Sequence, residues 1–254
     1  MSQHKPQFIM TDKIHRLKAQ IIKQEKDRLN ARGSIHASRQ MYHDSRIRNV
    51  HSTLAMENSS LTLAQVTDVI DGKHAPGTPD EIREVKNAYE AYSLMLTVNP
   101  IDPYSIAEML HAHRAFMAGL AKEVGCFRSG EVVAAGQKRE TAPLAKLVPR
   151  HMDNLVDWAK TSDEHPLIKS CVFHYELMSI HPFGDGNGHV ARMWQMLLLS
   201  QRNFISKRLP VMDVVRERQQ EYYDVLAISD RAAGSAKFTE YMLQAIKDAL
   251  TEFG

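Results

Sequence analysis

The sequence predicts an all-α fold, a helical bundle with one short β-hairpin. Apolar residues recur every three or four positions in almost every segment between proline and glycine breaks, which is the helical period. Strand-forming residues bracketed by glycines occur at one place, Val132 and Val133 between Gly130 and Gly136. No repeat or low-complexity tract interrupts the chain. We therefore expect one mostly helical domain, residues 46–254, behind an N-terminal helical extension, residues 1–45.

The composition is that of an ordinary soluble globular protein. Hydrophobic residues make up 43% of the 254 residues and the formal net charge is +2, so global charge indicates neither nucleic acid nor a membrane surface. Two cysteines, Cys126 and Cys171, are too few for a disulfide framework and favour a reducing compartment. The chain starts without the apolar segment of a signal peptide, and its most apolar run, Met196–Leu199, is too short to cross a bilayer. A cytoplasmic protein is expected.

The first half of the chain shows five helical patterns. The first reads as an exposed amphipathic helix that opens at Asp12 and is followed by an irregular stretch, residues 31–45, with a break at Gly33. Ser60 or Thr62 is a plausible N-cap, and Asn99-Pro100 closes the fourth pattern. The predicted helices cover about residues 12–30, 46–59, 60–72, 80–99 and 104–120.

The second half begins with the predicted hairpin at about residues 125–137 and is otherwise helical. Two strongly apolar runs, CVFHYELMSI and VARMWQMLLLSQ, flank the loop HPFGDGNGHVAR, residues 181–192. His174 lies in the first of these runs, and a histidine there is more often a packed core group than a ligand. The predicted helices cover about residues 147–159, 166–180, 189–202, 211–228 and 238–250.

The loop at residues 181–192 is suited to binding an anion. Pro182 and three glycines, Gly184, Gly186 and Gly188, stop one buried helix before the next begins. A helix start presents unpaired N–H groups and the positive end of the helix dipole, and glycines let those groups approach a phosphate closely.

The polar residues of the loop add chemistry to this cradle. His181 can accept a proton near neutral pH, and Asp185 is a hard oxygen ligand suited to Mg²⁺. Asn187 can donate to phosphate oxygens, and Arg192 can fork onto a terminal phosphate. Together these groups indicate transfer at a nucleotide phosphate.

Other interpretations of the same residues are a simple turn and a metal-dependent hydrolase. His181, Asp185 and His189 are spaced four apart, which would align three ligands for a transition metal on a continuous helix. Pro182 and the glycines disfavour such a helix. A dinucleotide fingerprint and a P-loop are excluded because neither spacing occurs and no lysine follows the glycines.

HPFGDGNGHVAR resembles the signature HPFx(D/E)GNGRxxR of the Fic family of protein adenylyltransferases at all but one fixed position. GCFRSGEVVA, residues 125–134, is similar to the β-hairpin flap with which the family holds a target segment by strand addition. TLAMEN, residues 53–58, resembles the family's inhibitory signature (S/T)xxxE(G/N). The resemblance covers about residues 45–250 and implies a Fic-like helical bundle.

The resemblance implies an enzyme that moves AMP from ATP, with Mg²⁺, to a Ser, Thr or Tyr hydroxyl of a target protein or of the chain itself, and releases pyrophosphate. His181 would be the general base and Asp185 would hold Mg²⁺. Arg192 would bind the γ-phosphate. The nucleotide would contact Gly186, Asn187, Gly188, His189 and Arg192, with Asn187 in the catalytic set.

The resemblance also implies regulation and target contacts. Glu57, in an inhibitory helix at about residues 46–59, would pair with Arg192 and keep the γ-phosphate out, with Thr53 and Asn58 holding the helix. In the flap, Arg128 and Glu131 are candidates for target contact. Residues 1–45 are assigned no role by their pattern beyond possible partner or homodimer contacts.

His189 stands where the family has its first motif arginine. A histidine supplies positive charge only when it is protonated, whereas an arginine is always charged. The alternatives to an autoinhibited transferase are therefore a weakened nucleotide- or protein-binding module, or an enzyme that removes AMP with Glu57 orienting a water.

Overall fold

The computed structural model describes residues 6, 8–32, 39–94, 101–134, 137–138, 142–201 and 209–253. The first five helices are α1 (Asp12–Arg32), α2 (Arg39–Ala55), α3 (Leu63–Ile70), α4 (Pro79–Leu94) and α5 (Ile106–Met117). Two short strands follow, β1 (Val133–Ala134) and β2 (Gln137–Lys138), and then a 3-10 helix, Ala145–Leu147. The last six helices are α6 (Val148–Thr161), α7 (Pro166–Ile180), α8 (Asn187–Ser200), α9 (Val211–Glu217), α10 (Gln219–Arg231) and α11 (Ala236–Phe253). The all-α fold predicted from the sequence is confirmed.

The two apolar helices α7 and α8 form the centre of the bundle. Every residue of α8 except His189 is buried, as an apolar helix with no polar face requires. α7 packs along α8 on one side and against α6 and α11 on others, while α2 and α5 cover α8. The loop between α7 and α8 is therefore anchored at both ends in the core.

α1 packs along α11. Its residues Ile14, Leu17 and Ile21 are buried in the same apolar core as α7 and α8. The hydroxyl of Thr11, just before the helix, donates to Glu240 of α11 at 2.7 Å. The amphipathic pattern therefore corresponds to a helix whose apolar face packs against the bundle.

α2 begins earlier than the sequence predicts. Residues 39–45, expected to be irregular, form its first turns. The His43 ring lies edge-on to the Tyr89 ring, with 6.2 Å between centroids, and the Arg46 guanidinium next to it lies 3.8 Å from the same centroid, which fastens this part of α2 to α4. Such polar and aromatic contacts leave no apolar period, so the prediction was wrong there.

The helix predicted over residues 211–228 is two helices with a break at Arg218. Its backbone (φ −115°, ψ 36°) leaves the helical region, and its guanidinium donates to Asp248 of α11 at 2.7 Å. The end of the helix predicted to close at Asn99-Pro100 lies outside the described residues. At the predicted hairpin, β1 pairs antiparallel with β2, Val133 opposite Lys138 and Ala134 opposite Gln137.

Neither cysteine forms a disulfide: Cys126 is exposed and Cys171 is buried in α7. Among the described helices, none combines the length and apolar character needed to cross a lipid bilayer.

His174 is a packed core group at the centre of α7. Its Nδ1 bonds to Oε1 of Gln195, which can only accept, so Nδ1 carries the proton and Nε2 accepts from the Tyr222 hydroxyl at 2.9 Å. Complete burial lowers the pKa of His174 to about 3. The ring therefore remains neutral inside the fold over the physiological pH range.

This burial predicts an acid-sensitive stability. Below pH 6.5 the unfolded chain protonates His174 and the folded chain does not, so stability falls as pH drops from 6.5 towards 3. Between pH 7 and pH 5 the loss from this residue is about 2 kcal/mol. Urea unfolding at both pH values should show that His174→Gln loses less stability on acidification than the parent chain. An equal loss in the two proteins would contradict the assignment.

Candidate active site

The α7–α8 loop begins with a left-handed residue. α7 ends at Ile180, and the N–H of His181 donates to Leu177 at 2.9 Å before the backbone turns to φ 51°, ψ 60°. This conformation is costly for a residue other than glycine, so surrounding contacts must hold it. Because the helix stops here, His181, Asp185 and His189 do not lie on one continuous helix. The half-buried His181 stands at the entrance of the loop.

The other end of the loop is fixed by Gly186 and Asn187. Gly186 is the N-cap of α8 at φ 77°, and a Cβ there would meet Met117 Sδ at 2.7 Å. The buried Asn187 amide donates to Phe183 O and accepts from Phe183 N, both at 2.9 Å. This side chain therefore holds the loop closed, and Asp185 projects from it with one oxygen accepting from Gly186 N at 2.7 Å.

A carboxylate of the chain itself lies on the first turn of α8. A methyl group added at Gly188 would overlap Glu57 Oε1 and approach Arg192 Nη1 at 2.8 Å. First-turn N–H groups have no partner within their own helix, and the dipole makes this end positive. Glu57 thus occupies the position that the sequence assigns to an anion.

Arg192, one turn further along α8, is buried and points at the same carboxylate. Its Nη2 donates to Glu57 Oε1 at 2.6 Å, while Nε donates to the Thr53 hydroxyl at 2.9 Å and Nη2 to Thr53 O at 3.2 Å. Burial is the largest single influence and acts to raise the pKa of Glu57. The charge and hydrogen bond of Arg192, together with His189 and His181, outweigh it, so the pKa lies below its usual value. Glu57 is therefore ionised at neutral pH, and 44% of its side chain is exposed.

Glu57 lies in a turn, two residues beyond the end of α2. Thr53 is fully buried within α2, and Asn58 closes the turn with φ 69°, a conformation asparagine tolerates. The carbonyl of Met56 accepts from the Tyr223 hydroxyl at 2.8 Å and from Gln219 Nε2 at 3.3 Å, both on α10. α10 therefore holds the turn that carries Glu57 through the Met56 carbonyl.

His189 packs beside the pair without adding charge. Its ring stacks on Phe116, with 5.3 Å between centroids, and its Nδ1 lies 3.1 Å from the Thr53 hydroxyl. Burial first, and the charge of Arg192 second, lower the pKa of His189 to about 4, although Glu57 opposes the shift. At neutral pH Arg192 is the cation of this cluster and His189 is neutral.

A pocket of about 170 Å³ opens over Glu57, Asp185 and His189. Its remaining lining comes from α2, α4, α5 and the turn after α5: Leu54, Glu84, Ala88, Phe116, Met117 and Leu120. Burial and nearby carboxylates raise the pKa of Glu84. Within the part of the chain that the structure describes, no group of three or more His, Cys, Asp or Glu side chains could hold a metal ion. The exposed carboxylate of Asp185 is the kind of oxygen ligand that Mg²⁺ accepts.

Sequence reasoning missed His113, which supports the loop from below. Gly125 N donates to its Nδ1 at 3.0 Å, so the proton is on Nε2, which donates to Asp185 O at 3.0 Å. The ring stacks on Phe183 with 3.9 Å between centroids. One histidine at helical spacing is indistinguishable from a core residue in sequence.

Arg128 and Glu131, the predicted target contacts, lie in different surroundings. The Arg128 side chain is buried, and its guanidinium donates to the carbonyls of Gly130, Pro143, Ile180 and His181. Glu131 is exposed and accepts from Ala145 N at 3.1 Å. Of these two residues, Glu131 is the one that is exposed on the surface.

Comparison with known proteins shows which family this chain is similar to. Residues 100–199, which include the α7–α8 loop, match the Fic/DOC family. A crystal structure of a Fic family protein from Desulfovibrio desulfuricans G20 is 41% identical, with a TM-score of 0.90 over 98% of this chain and 76% of that one.

More distant relatives carry functional names. The protein adenylyltransferase fic-1 of Caenorhabditis elegans is 28% identical over 203 residues, and the protein adenylyltransferase Fic of Aedes aegypti is 24% identical over 189 residues. These matches cover 76% and 72% of this chain, but only 38% and 37% of the relatives' own lengths.

Proposed function

Because this chain belongs to the Fic family, we propose that it transfers AMP from ATP to a hydroxyl side chain of a target protein and is inhibited by its own Glu57. One observation carries the proposal. Glu57 lies on Gly188 at the start of α8 and 2.6 Å from Arg192, so a carboxylate of the chain itself fills an anion site.

The α8 end of the site supplies the phosphate contacts. First-turn N–H groups beside Gly186 and Gly188 donate to phosphate oxygens, and Arg192 binds the γ-phosphate once Glu57 has left. Asp185 would hold Mg²⁺, which supplies charge neutralisation to the phosphates. Asn187 acts through the loop, because its amide holds both backbone groups of Phe183.

The α7 end of the site supplies the base. His181 accepts the proton of the incoming hydroxyl as its oxygen attacks the α-phosphorus of ATP, and pyrophosphate leaves from the opposite side. The target segment is held beside the loop by strand addition at the β1–β2 pair. Serine, threonine or tyrosine hydroxyls, including those of the chain itself, are the acceptors.

Inhibition follows from competition for one guanidinium. The outward-facing N–H groups of the Arg192 guanidinium cannot bind a carboxylate and a phosphate at the same time. The buried Thr53 keeps Arg192 in place by accepting from Nε, so withdrawal of Glu57 leaves the cation already oriented. The contacts of α10 with Met56 keep the inhibitory turn closed.

A second candidate, a nucleotide-binding module with little transfer, is favoured by the neutral state of His189. An arginine at this position would add a permanent charge next to the phosphates, and a ring with a pKa of about 4 adds none at neutral pH. Removal of AMP from a modified target is a separate candidate, in which the exposed part of Glu57 in the pocket would orient a water.

The contribution of this position can be measured directly. In the Glu57→Gly background, His189→Arg should tighten ATP binding about 10- to 100-fold, because one charge-assisted hydrogen bond is added. Calorimetric titration with ATP and Mg²⁺ gives the dissociation constant, and His111→Arg, on the exposed face of α5, is the matched control. Unchanged or weaker binding by His189→Arg would show that the residue does not face the phosphates.

Incubation with ATP and Mg²⁺ followed by intact-mass measurement separates the candidates. A mass gain equal to AMP supports transfer. Binding of ATP by Glu57→Gly without any gain supports the nucleotide-binding module. Release of AMP from a pre-modified chain supports the reverse reaction.

A further inference from the structure

We infer that Arg128 is a positioning residue whose hydrogen bonds fix where the β1–β2 pair lies relative to His181. The inference rests on the proposed function, in which His181 is the base and the strand pair holds the target. Arg128 touches neither nucleotide nor target in this assignment. It acts through the backbone on which the base is mounted.

The contacts of Arg128 converge on the end of α7. Its Nε donates to His181 O at 2.7 Å and its Nη2 lies 3.5 Å from Ile180 O. Its own backbone N–H donates to Pro182 O at 2.9 Å. Three consecutive carbonyls around the left-handed His181 thus receive donors from one residue.

The same guanidinium reaches both sides of the strand pair. Nη1 donates to Gly130 O at 2.9 Å, just before β1, and Nη2 donates to Pro143 O at 2.6 Å, after β2. A shift of either flanking segment, at Gly130 or at Pro143, would therefore move the group that holds His181 O. Arg128 thus connects two places: the strand pair at which a target strand would add, and the backbone of His181, the base that the target hydroxyl must reach.

The electrostatics explain why an arginine is buried there. Carbonyls at the C-terminus of α7 carry the negative end of the helix dipole, which favours a cation. In the described structure the nearest carboxylate is that of Glu131, 3.9 Å from Nη1 and 46% exposed, so carbonyl oxygens provide most of the compensation. A planar fork can serve carbonyls in several directions at once, whereas a lysine ammonium is a single point.

The test compares Arg128→Gln and Arg128→Lys with Arg150→Gln, an exposed arginine of α6, all in the Glu57→Gly background. Without nucleotide, the rate of deuterium exchange in the segment 179–187 should rise at least about tenfold in Arg128→Gln and by an intermediate factor in Arg128→Lys. The exchange rate of α11 should stay unchanged. The rate of AMP incorporation at saturating ATP should fall at least about tenfold, while KM for ATP stays within about twofold.

Uptake and rate equal to those of Arg150→Gln would overturn the inference, as would a raised KM for ATP with an unchanged rate. If Arg128→Gln unfolds at the assay temperature, Arg128→Lys carries both measurements. If the Glu57→Gly parent gains no AMP, the proposed function fails, and deuterium uptake alone decides whether Arg128 holds the loop.

Discussion

Replacing Glu57 with glycine should raise AMP incorporation about 10- to 100-fold. The bond from Arg192 Nη2 to Glu57 is a charge-assisted contact, and such bonds contribute about 1.5–3 kcal/mol. Removing it frees the guanidinium for a phosphate, and each 1.4 kcal/mol corresponds to about a factor of ten. Glycine also clears the space above Gly188 that the carboxylate fills.

Two variants sharpen this experiment. Glu57→Gln keeps the shape and one acceptor oxygen but removes the charge, so its rate should lie between those of the parent chain and Glu57→Gly. Glu252→Gly removes an exposed carboxylate at the end of α11 and should match the parent. Radiolabelled or intact-mass assays with ATP and Mg²⁺ report the rate. Equal rates for all four proteins would remove Glu57 from any inhibitory role.

Most of the fold was predictable because apolar periodicity and breakers reflect burial directly. α7 and α8 are recognisable from their continuous apolar runs, and Pro182 with the loop glycines marks the break between them. The early start of α2 was not predictable, since His43 contacts Tyr89 of α4 and such a contact leaves no apolar period in the sequence.

The site could be predicted where one short segment carries it and not where distant segments meet. The spacing within residues 181–192 indicates the anion cradle, and the resemblance at residues 53–58 pointed to Glu57. The support from His113 and Tyr223 depends on tertiary contacts with Asp185 O and Met56 O. For Arg128 the sequence indicated a place in the flap, and only the hydrogen bonds of the folded chain show that its guanidinium faces backbone carbonyls.

Loss of the imidazole at His181 should lower AMP incorporation about 10²- to 10⁴-fold, the range in which a positioned general base contributes. The measurement is made in the Glu57→Gly background, where the parent rate is highest. ATP affinity should stay within about twofold of the parent, because the phosphate contacts belong to α8 and Arg192 rather than to this side chain. His111→Ala, on the exposed face of α5, is the matched control.

The backbone at His181 decides which replacement is informative. Alanine at φ 51° adds strain that would disturb the loop, whereas asparagine tolerates the left-handed region and has no group that accepts a proton near neutral pH. His181→Asn therefore separates loss of the base from loss of the loop conformation. If His181→Asn retains the parent rate, proton transfer to this imidazole is not part of the reaction. If only His181→Ala is slow, the residue acts through the backbone that Arg128 holds.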